Sequence, residues 1–180
     1  MLRFQAGDSA AFDKLVRNIR DMIWRFCLRM LGNPQAAEEA AQDILVRVYR
    51  ARASYQPSAR FRTWLFRIAT NHCLNERQRA WRRHEVGTAE GTAGLSLASG
   101  QDPGATSEAA QLARAVQQAL DALPPRQRAA VVLARYQGCS MAEVAAALDL
   151  PSVGAAKLLL HRARKGLEQH LRPFLPTEAP

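Results

Sequence analysis

The stretch Arg60–Arg83 reads RFRTWLFRIATNHCLNERQRAWRR, and its reading decides the fold. At helical spacing Phe61, Trp64, Leu65 and Ile68 recur at intervals of three and four, an apolar stripe that needs cover from other helices. Arg60, Thr63, Arg67, Asn71, Asn75, Gln78 and Arg82 recur in the same way on another side. Guanidinium forks and side-chain amides are the groups that bind phosphates and base edges. From Ile44 to Arg83 there are ten Arg, no Lys and a single acid, Glu76, so this region holds a formal +9. A solvated basic helix face would account for that charge alone. It does not account for the aromatic residues set among the arginines, Tyr55, Phe61, Trp64 and Trp81, because ring surfaces beside cations suit single-stranded nucleic acid.

The whole chain is as lopsided. Its 180 residues carry 25 Lys and Arg against 16 Asp and Glu, a net +9, with a pI near 10.5. That balance favours a polyanionic partner, either nucleic acid or an anionic membrane surface. Hydrophobic residues make up 48% of the chain, enough for a real core. No apolar run reaches the roughly 18 residues a membrane span needs; the best, Met22–Leu31, is broken by Arg25 and Arg29, so no membrane insertion is expected. The first residues, MLRFQAGDSAAF, lack a signal peptide's apolar centre, and a cytoplasmic location is expected. Cys27, Cys73 and Cys139 are odd in number and far apart, without a CxxC pair, which fits a reducing compartment. His72 adjoins Cys73, but helical neighbours point about 100° apart and no second pair completes a ligand set. Neither a metal nor a cofactor is expected.

Upstream of the basic stretch two helices are expected. Asp8 and Ser9 can cap the first, running to about Leu31 and ended by Gly32. Asn33 caps the second with Pro34 in its first position, where a missing N–H costs nothing. This helix is expected to run to about Ala53, with Ala37, Ala41, Ile44, Leu45 and Val48 inward. Opposite lie Glu38, Glu39, Gln42 and Asp43. The helix dipole explains acids in the first turns, but Asp43 lies deeper, and a patch that docks a basic partner is the other reading. Ser54–Ala59 is a loop around Pro57.

Downstream the composition changes at His84. Residues 84–110 contain four acids, no Lys or Arg and five of the ten glycines, too little for a core, which marks an extended linker. Helical patterning resumes with Ser107–Leu123, capped by Ser107, and a helix begun by Pro124-Pro125 reaches about Tyr136 before Gly138. Ser140 with Glu143 is a capping box for a short helix Met141–Leu148. After the turn Asp149-Leu150-Pro151, Ser152 caps a last helix, Val153 to about Leu171, with a basic end. A short capped helix, a tight turn and a longer basic helix form the helix-turn-helix pattern, for which a generic helical hairpin is the alternative. The expected fold is therefore all-α: an N-terminal helical domain at 7–84, a flexible acidic linker at 85–108, a C-terminal helix-turn-helix domain at 109–172 and a tail at 173–180.

Taken in order, GDSAAFDKLV, LGNPQAAEEAAQDILVRVYR, FRTWLFRIATNHCLNERQR, LPPRQRAAVVLARYQGCSMAEVAAAL and SVGAAKLLLHRARKGL resemble the extracytoplasmic-function, or group IV, sigma factors of bacterial RNA polymerase, over about Gly7–Leu171. The resemblance implies that Glu38, Glu39, Gln42 and Asp43 dock on core polymerase. It implies −10 element contacts by Tyr55, Arg60, Arg62, Trp64, Arg67 and Asn71, with Arg77, Arg79, Arg82 and Arg83 on phosphates. The loop from Tyr55 to Arg60 matches the one that captures a flipped base. The last helix matches the −35 reader, which places Ser152, Ala155, Lys157, His161, Arg162, Arg164 and Lys165 at DNA. An anti-sigma factor is an implied partner. The chain departs from the family's pattern at Asn75, where Asp is usual, and at Asp149, where a turn Gly is usual. Its last helix carries Ala155, Ala156, Leu158, Leu159 and Leu160 where many members carry Thr, Ser and Arg.

Three functions are compatible with a basic helical chain. A sigma factor is not an enzyme but a specificity subunit. A free-standing helix-turn-helix repressor would bind duplex DNA without polymerase, and would have no use for Glu39 and Asp43. An RNA-processing enzyme would need a nucleophile with its base, paired carboxylates, a phosphate loop or a metal set, and none is visible.

Overall fold

The computed structural model describes residues 1–57, 60–86 and 107–174. The described elements are helical throughout. A single turn, α1 (Leu2–Gln5), precedes α2 (Ser9–Leu31), α3 (Pro34–Arg50) and α4 (Phe61–Val86). A second group follows with α5 (Ser107–Ala122), α6 (Pro125–Val131), α7 (Met141–Ala147) and α8 (Val153–Leu171). The expected linker falls mostly outside the described residues, as do Ser58, Ala59 and most of the C-terminal tail.

Local chemistry sets the helix ends. Asp8 Oδ1 accepts from the Ala11 N–H at 3.0 Å, and Gly32, at φ 75°, ends α2 in the left-handed conformation that a side chain resists. Asn33 Oδ1 accepts from the Ala36 N–H at 2.9 Å, and Pro34 opens α3. Ser140 and Glu143 form a reciprocal capping box at α7, and Ser152 caps α8. Asp149 takes φ 52° in the turn between those two helices, a conformation Asp tolerates better than most residues.

Three details differ from the sequence reading. α1 was not expected; Phe4 is buried and its ring stacks on Phe12 at 4.6 Å, so a short apolar contact holds a segment too brief for periodicity to reveal. α3 stops at Arg50 and tightens into a 3₁₀ turn, Ala51–Ser54. The helix from Pro125 widens into a π turn over Val132–Tyr136.

The two groups do not stay apart. One core cluster joins Ile23, Phe26, Met30, Ile44, Leu65 and Phe66 of the first to Ala129, Leu133, Val144 and Leu148 of the second. α4 packs against α2 and α3 and also against α6 and α7. This explains why its apolar residues do not keep to one stripe: Leu65, Phe66, Ala69 and Cys73 are all fully buried. Thr63, expected on the polar stripe, is buried as well, 8% exposed. Ionic and polar ties reinforce the contact. Arg62 donates to the Gln137 carbonyl, and the Arg29 guanidinium lies 3.6 Å from the Tyr136 ring centroid. A smaller cluster, Leu120, Leu123, Val131 and Ala163, holds α5 and α8 together.

Candidate nucleic-acid interface

α4 carries the longest run of exposed cations and amides. Arg67, Asn71, Asn75, Gln78, Arg79, Arg82 and Arg83 are exposed along it. These residues recur at helical spacing because the positions between them, Leu65, Phe66, Ala69 and Cys73, supply the core. Arg79 is partly tied to Glu76 at 2.7 Å, and Arg60, its side chain 86% exposed, lies 3.7 Å from Glu143. Trp81, 62% exposed, adds a bare ring surface beside Arg82.

Between α3 and α4 runs an open groove of about 710 Å³. Its walls include Asp43, Arg47 and Arg50 from α3 and Asn71 and Asn75 from α4. Cations on one wall and amides on the other can bind a phosphate and a base edge side by side. Arg47 and Arg50 belong to the basic stretch read from sequence, but nothing in their own spacing joins them to Asn71; the packing of α3 on α4 does. His72 sits at the floor of this groove with its side chain 3% exposed, and Asp43 Oδ2 is 3.9 Å from its Nε2. Burial lowers the imidazole's pKa, Arg47 lowers it further, and Glu76 and Asp43 oppose both. The ring is therefore neutral at pH 7, and 3.9 Å is a close approach and not an ion pair.

The aromatic residues at the start of α4 have another arrangement. Tyr55 is buried, with its ring 5.2 Å from Trp64 and 5.9 Å from Phe61, both edge-on. Gln5 donates to the Arg52 and Tyr55 carbonyls at 2.6 and 2.8 Å, fixing the chain as it approaches the loop. Tyr55 and Trp64 thus lie in one packed cluster, with part of Trp64 still open to solvent. Arg62 is turned toward Gln137. Arg77 is half-buried and donates to the Met30 carbonyl at 3.1 Å, away from the exposed row.

The acidic set is divided: Asp43 lines the groove between α3 and α4 beside Arg47 and Arg50, whereas Glu38, Glu39 and Gln42 do not line it. Glu39, Gln42 and Asp43 are exposed on α3, and Glu38, half-buried, pairs with Arg20 at 3.2 Å and accepts from Gln42 at 3.2 Å. On α8, Ala156 and Ala163 face the core. Lys157, His161, Arg162, Arg164 and Lys165 are exposed, Ala155 is half-buried, and Leu158 is 50% exposed among them. Arg164 is held by Glu168 at 2.8 Å, and Ser152 spends its hydroxyl on the Ala155 N–H at 3.1 Å. A helix-turn-helix unit therefore presents a cationic but partly apolar outer face. Among the described residues no three His, Cys, Asp or Glu side chains gather to hold a metal ion, and no helix is long and apolar enough to cross a membrane.

Two helical units, one with a long helix carrying exposed cations and amides and one with a helix-turn-helix, are the arrangement of a promoter-recognition subunit. Residues 15–83 match the family Sigma-70 region 2, and residues 113–167 match Sigma-70, region 4. The chain is 34% identical over 172 residues to the ECF RNA polymerase sigma factor SigW of Bacillus subtilis, covering 92% of this chain and 91% of that protein. It is 30% identical over 179 residues to the RNA polymerase sigma-H factor of Pseudomonas aeruginosa, covering 96% and 92%. Among solved structures it is similar to CnrH in complex with the cytosolic domain of CnrY, with a TM-score of 0.68, 27% identity and coverage of 96% and 94%. It also shares the fold of the sigma factor RpoE of Bartonella quintana in complex with the anti-sigma factor NepR, with a TM-score of 0.73, 20% identity and coverage of 90% and 97%. The chain belongs to the extracytoplasmic-function sigma factors of RNA polymerase. It is an alternative sigma factor that binds core RNA polymerase and directs promoter-specific transcription initiation.

Proposed function

We propose the following division of labour, with residues 7–84 docking polymerase and opening the −10 element, 85–108 as linker, 109–172 reading the −35 element and 173–180 as a tail. The observation that carries it is an acidic turn on α3 in the same helical unit as the exposed row of cations and amides on α4. Glu38, Glu39 and Gln42 lie in the first turns of α3, Asp43 lines the groove beside Arg47 and Arg50, and the longest row of cations and amides runs along α4. A protein that binds a basic polymerase surface and DNA together needs both.

In this reading Arg67 and Asn71, with Arg47 and Arg50 across the groove, hold the unpaired strand of the −10 element. Arg60 and Arg62 guide its backbone in, and Arg79, Arg82 and Arg83 hold phosphates farther along. Tyr55 and Trp64 supply the ring cluster against which a flipped base is captured, which offsets the cost of unstacking it. Arg77 reaches a phosphate only after it leaves Met30. Lys157, His161, Arg162, Arg164 and Lys165 face the −35 duplex, with Ser152 and Ala155 at the entering end of α8. The chain acts as a binding subunit and not as an enzyme, and it works in the cytoplasm with the polymerase. An anti-sigma factor is its natural restraint, supported by the neighbours solved with CnrY and NepR.

Transcription by purified core polymerase plus this protein on genomic DNA, followed by mapping of transcript starts, tests the reading. A shared pair of upstream elements at the new starts is expected. No new starts, together with tight sequence-specific binding of duplex by the protein alone, would establish a repressor instead.

A further inference from the structure

The capping box of α7 has a second task at the junction of the two units. Glu143 Oε2 accepts from the Ser140 N–H and hydroxyl, both at 2.9 Å. Its other oxygen, Oε1, points across the interface, 3.5 Å from Thr63 Oγ1 and 3.7 Å from Arg60 Nη1. Arg62, next along α4, donates to the Gln137 carbonyl of the same helix-turn-helix unit. The Ser140 hydrogen bonds, then Arg60 and Arg62, hold the Glu143 carboxyl below the ordinary range, so it is ionised. Two guanidiniums and a hydroxyl thus meet an anionic oxygen and a carbonyl oxygen, which is how a backbone phosphate would present itself to them.

We propose that Glu143 is an internal stand-in for a DNA phosphate, which holds the beginning of the reading helix closed until the two units separate. The inference rests on Arg60 and Arg62 being DNA contacts. Apolar packing supplies the bulk of the closed junction, with Leu65, Phe66, Val144 and Ala145 in one core. Glu143 lies at its edge, its side chain 22% exposed, where an incoming strand would first compete. A protein that binds DNA only when open shows an affinity reduced by the open fraction, so weakening the closed state tightens apparent binding.

Glu143→Gln tests this because an amide oxygen can still serve the capping box while the charge is gone. Ser140→Ala is the matched control, weakening the same box and keeping the carboxylate. The probe is a fluorescein-labelled single strand of about 20 nucleotides of mixed sequence, titrated with the full chain and followed by anisotropy. Glu143→Gln is expected to tighten binding about threefold at low salt, with the advantage fading at high salt as screening replaces it, and Ser140→Ala to leave affinity near the parent value. Equal affinities for Glu143→Gln and the parent, or an equal gain from Ser140→Ala, would overturn the proposal. Co-purification with core polymerase is measured in parallel. Its absence in the parent protein strikes the sigma-factor assignment, whereas its presence with unchanged strand affinity strikes the Glu143 contact alone.

Discussion

Arg77 of α4 and Arg128 of α6 both donate to one acceptor, the carbonyl of Met30, at 3.1 and 2.8 Å. Met30 lies in the last turn of α2, where carbonyls lack a helical partner and the dipole is negative, so two cations converge on a natural sink for them. Arg128 is fully buried and also donates to the Leu120 carbonyl at 2.6 Å and to Asp121. Burial, and then Arg77, lower its pKa to about 10 against the pull of Asp121, which leaves it charged at neutral pH. One guanidinium thereby ties the first helical unit to the second.

Arg128→Met is expected to cost about 3 kcal/mol in urea denaturation, since it removes three hydrogen bonds of a buried cation at once. Arg77, Leu123 and Gln117 still donate to the Met30 carbonyl, the Leu120 carbonyl and Asp121. Arg128→Lys should recover little, because one ammonium on a flexible stem cannot reach three acceptors set in different directions. Arg77→Ala should cost about 1 kcal/mol or less, since Arg128 still serves Met30. Equal losses from Arg77→Ala and Arg128→Met would show that the Met30 carbonyl, not the wider set of partners, sets the value of Arg128.

Residues of this kind mark the limit of what the sequence discloses. Caps and turns were legible: Asp8, Gly32, Asn33, Pro34, Ser140 with Glu143, and Ser152 all act where local chemistry places them. The helix-turn-helix was legible for the same reason. α4 was only half legible, because periodicity reports burial against one neighbour and α4 has neighbours from both units. Thr63 is inside beside Glu143 of the second unit, whereas Phe66 and Cys73 lie against Phe26 and Cys27 of α2. Arg128 reads as a surface residue by type, and only its three acceptors from two other helices give it a reason to be buried. Arg47 and Arg50 join the candidate site through the same kind of long-range packing.

His72 should make stability depend on pH in a window where few other groups do. Its folded pKa lies below the unfolded value of about 6.5, because burial and Arg47 disfavour the cation more than Asp43 and Glu76 favour it. Just below that value the unfolded chain binds the extra proton and the folded chain does not, so stability falls as pH falls through about 6.5 toward the lower folded pKa. Asp8 and Glu143, with lowered carboxyl pKa values, contribute only at more acidic pH. Urea midpoints measured between about pH 7.5 and 5.5 should decline for the parent and stay flatter for His72→Gln. Parallel curves for the two would remove His72 as the cause.

The acidic face of α3 is tested by reversing it. Glu39 and Asp43 are exposed, so Glu39→Lys with Asp43→Lys should move the thermal midpoint by only about 2 °C. The same pair should abolish co-purification with core polymerase, since two attractions become two repulsions. Retained association would place the docking surface elsewhere on the unit.

The last expectation separates holding DNA from reading it. Arg82 and Arg83 are exposed far along α4, beyond the groove, and phosphates are the same in every sequence. Arg82→Ala and Arg83→Ala should each weaken all promoter complexes alike and flatten the salt dependence by about one unit per lost contact. Asn71 is exposed on the groove wall, opposite Arg47 and Arg50, and a side-chain amide there is suited to a base edge. A base edge is available to it only once the strands part. Asn71→Ala should therefore leave closed complexes intact and reduce opening at cognate promoters. Permanganate reactivity of unpaired thymines, followed beside binding at several salt concentrations, distinguishes the two effects. Normal opening by Asn71→Ala, with altered promoter choice by Arg82→Ala, would reverse the roles assigned to the two ends of this helix.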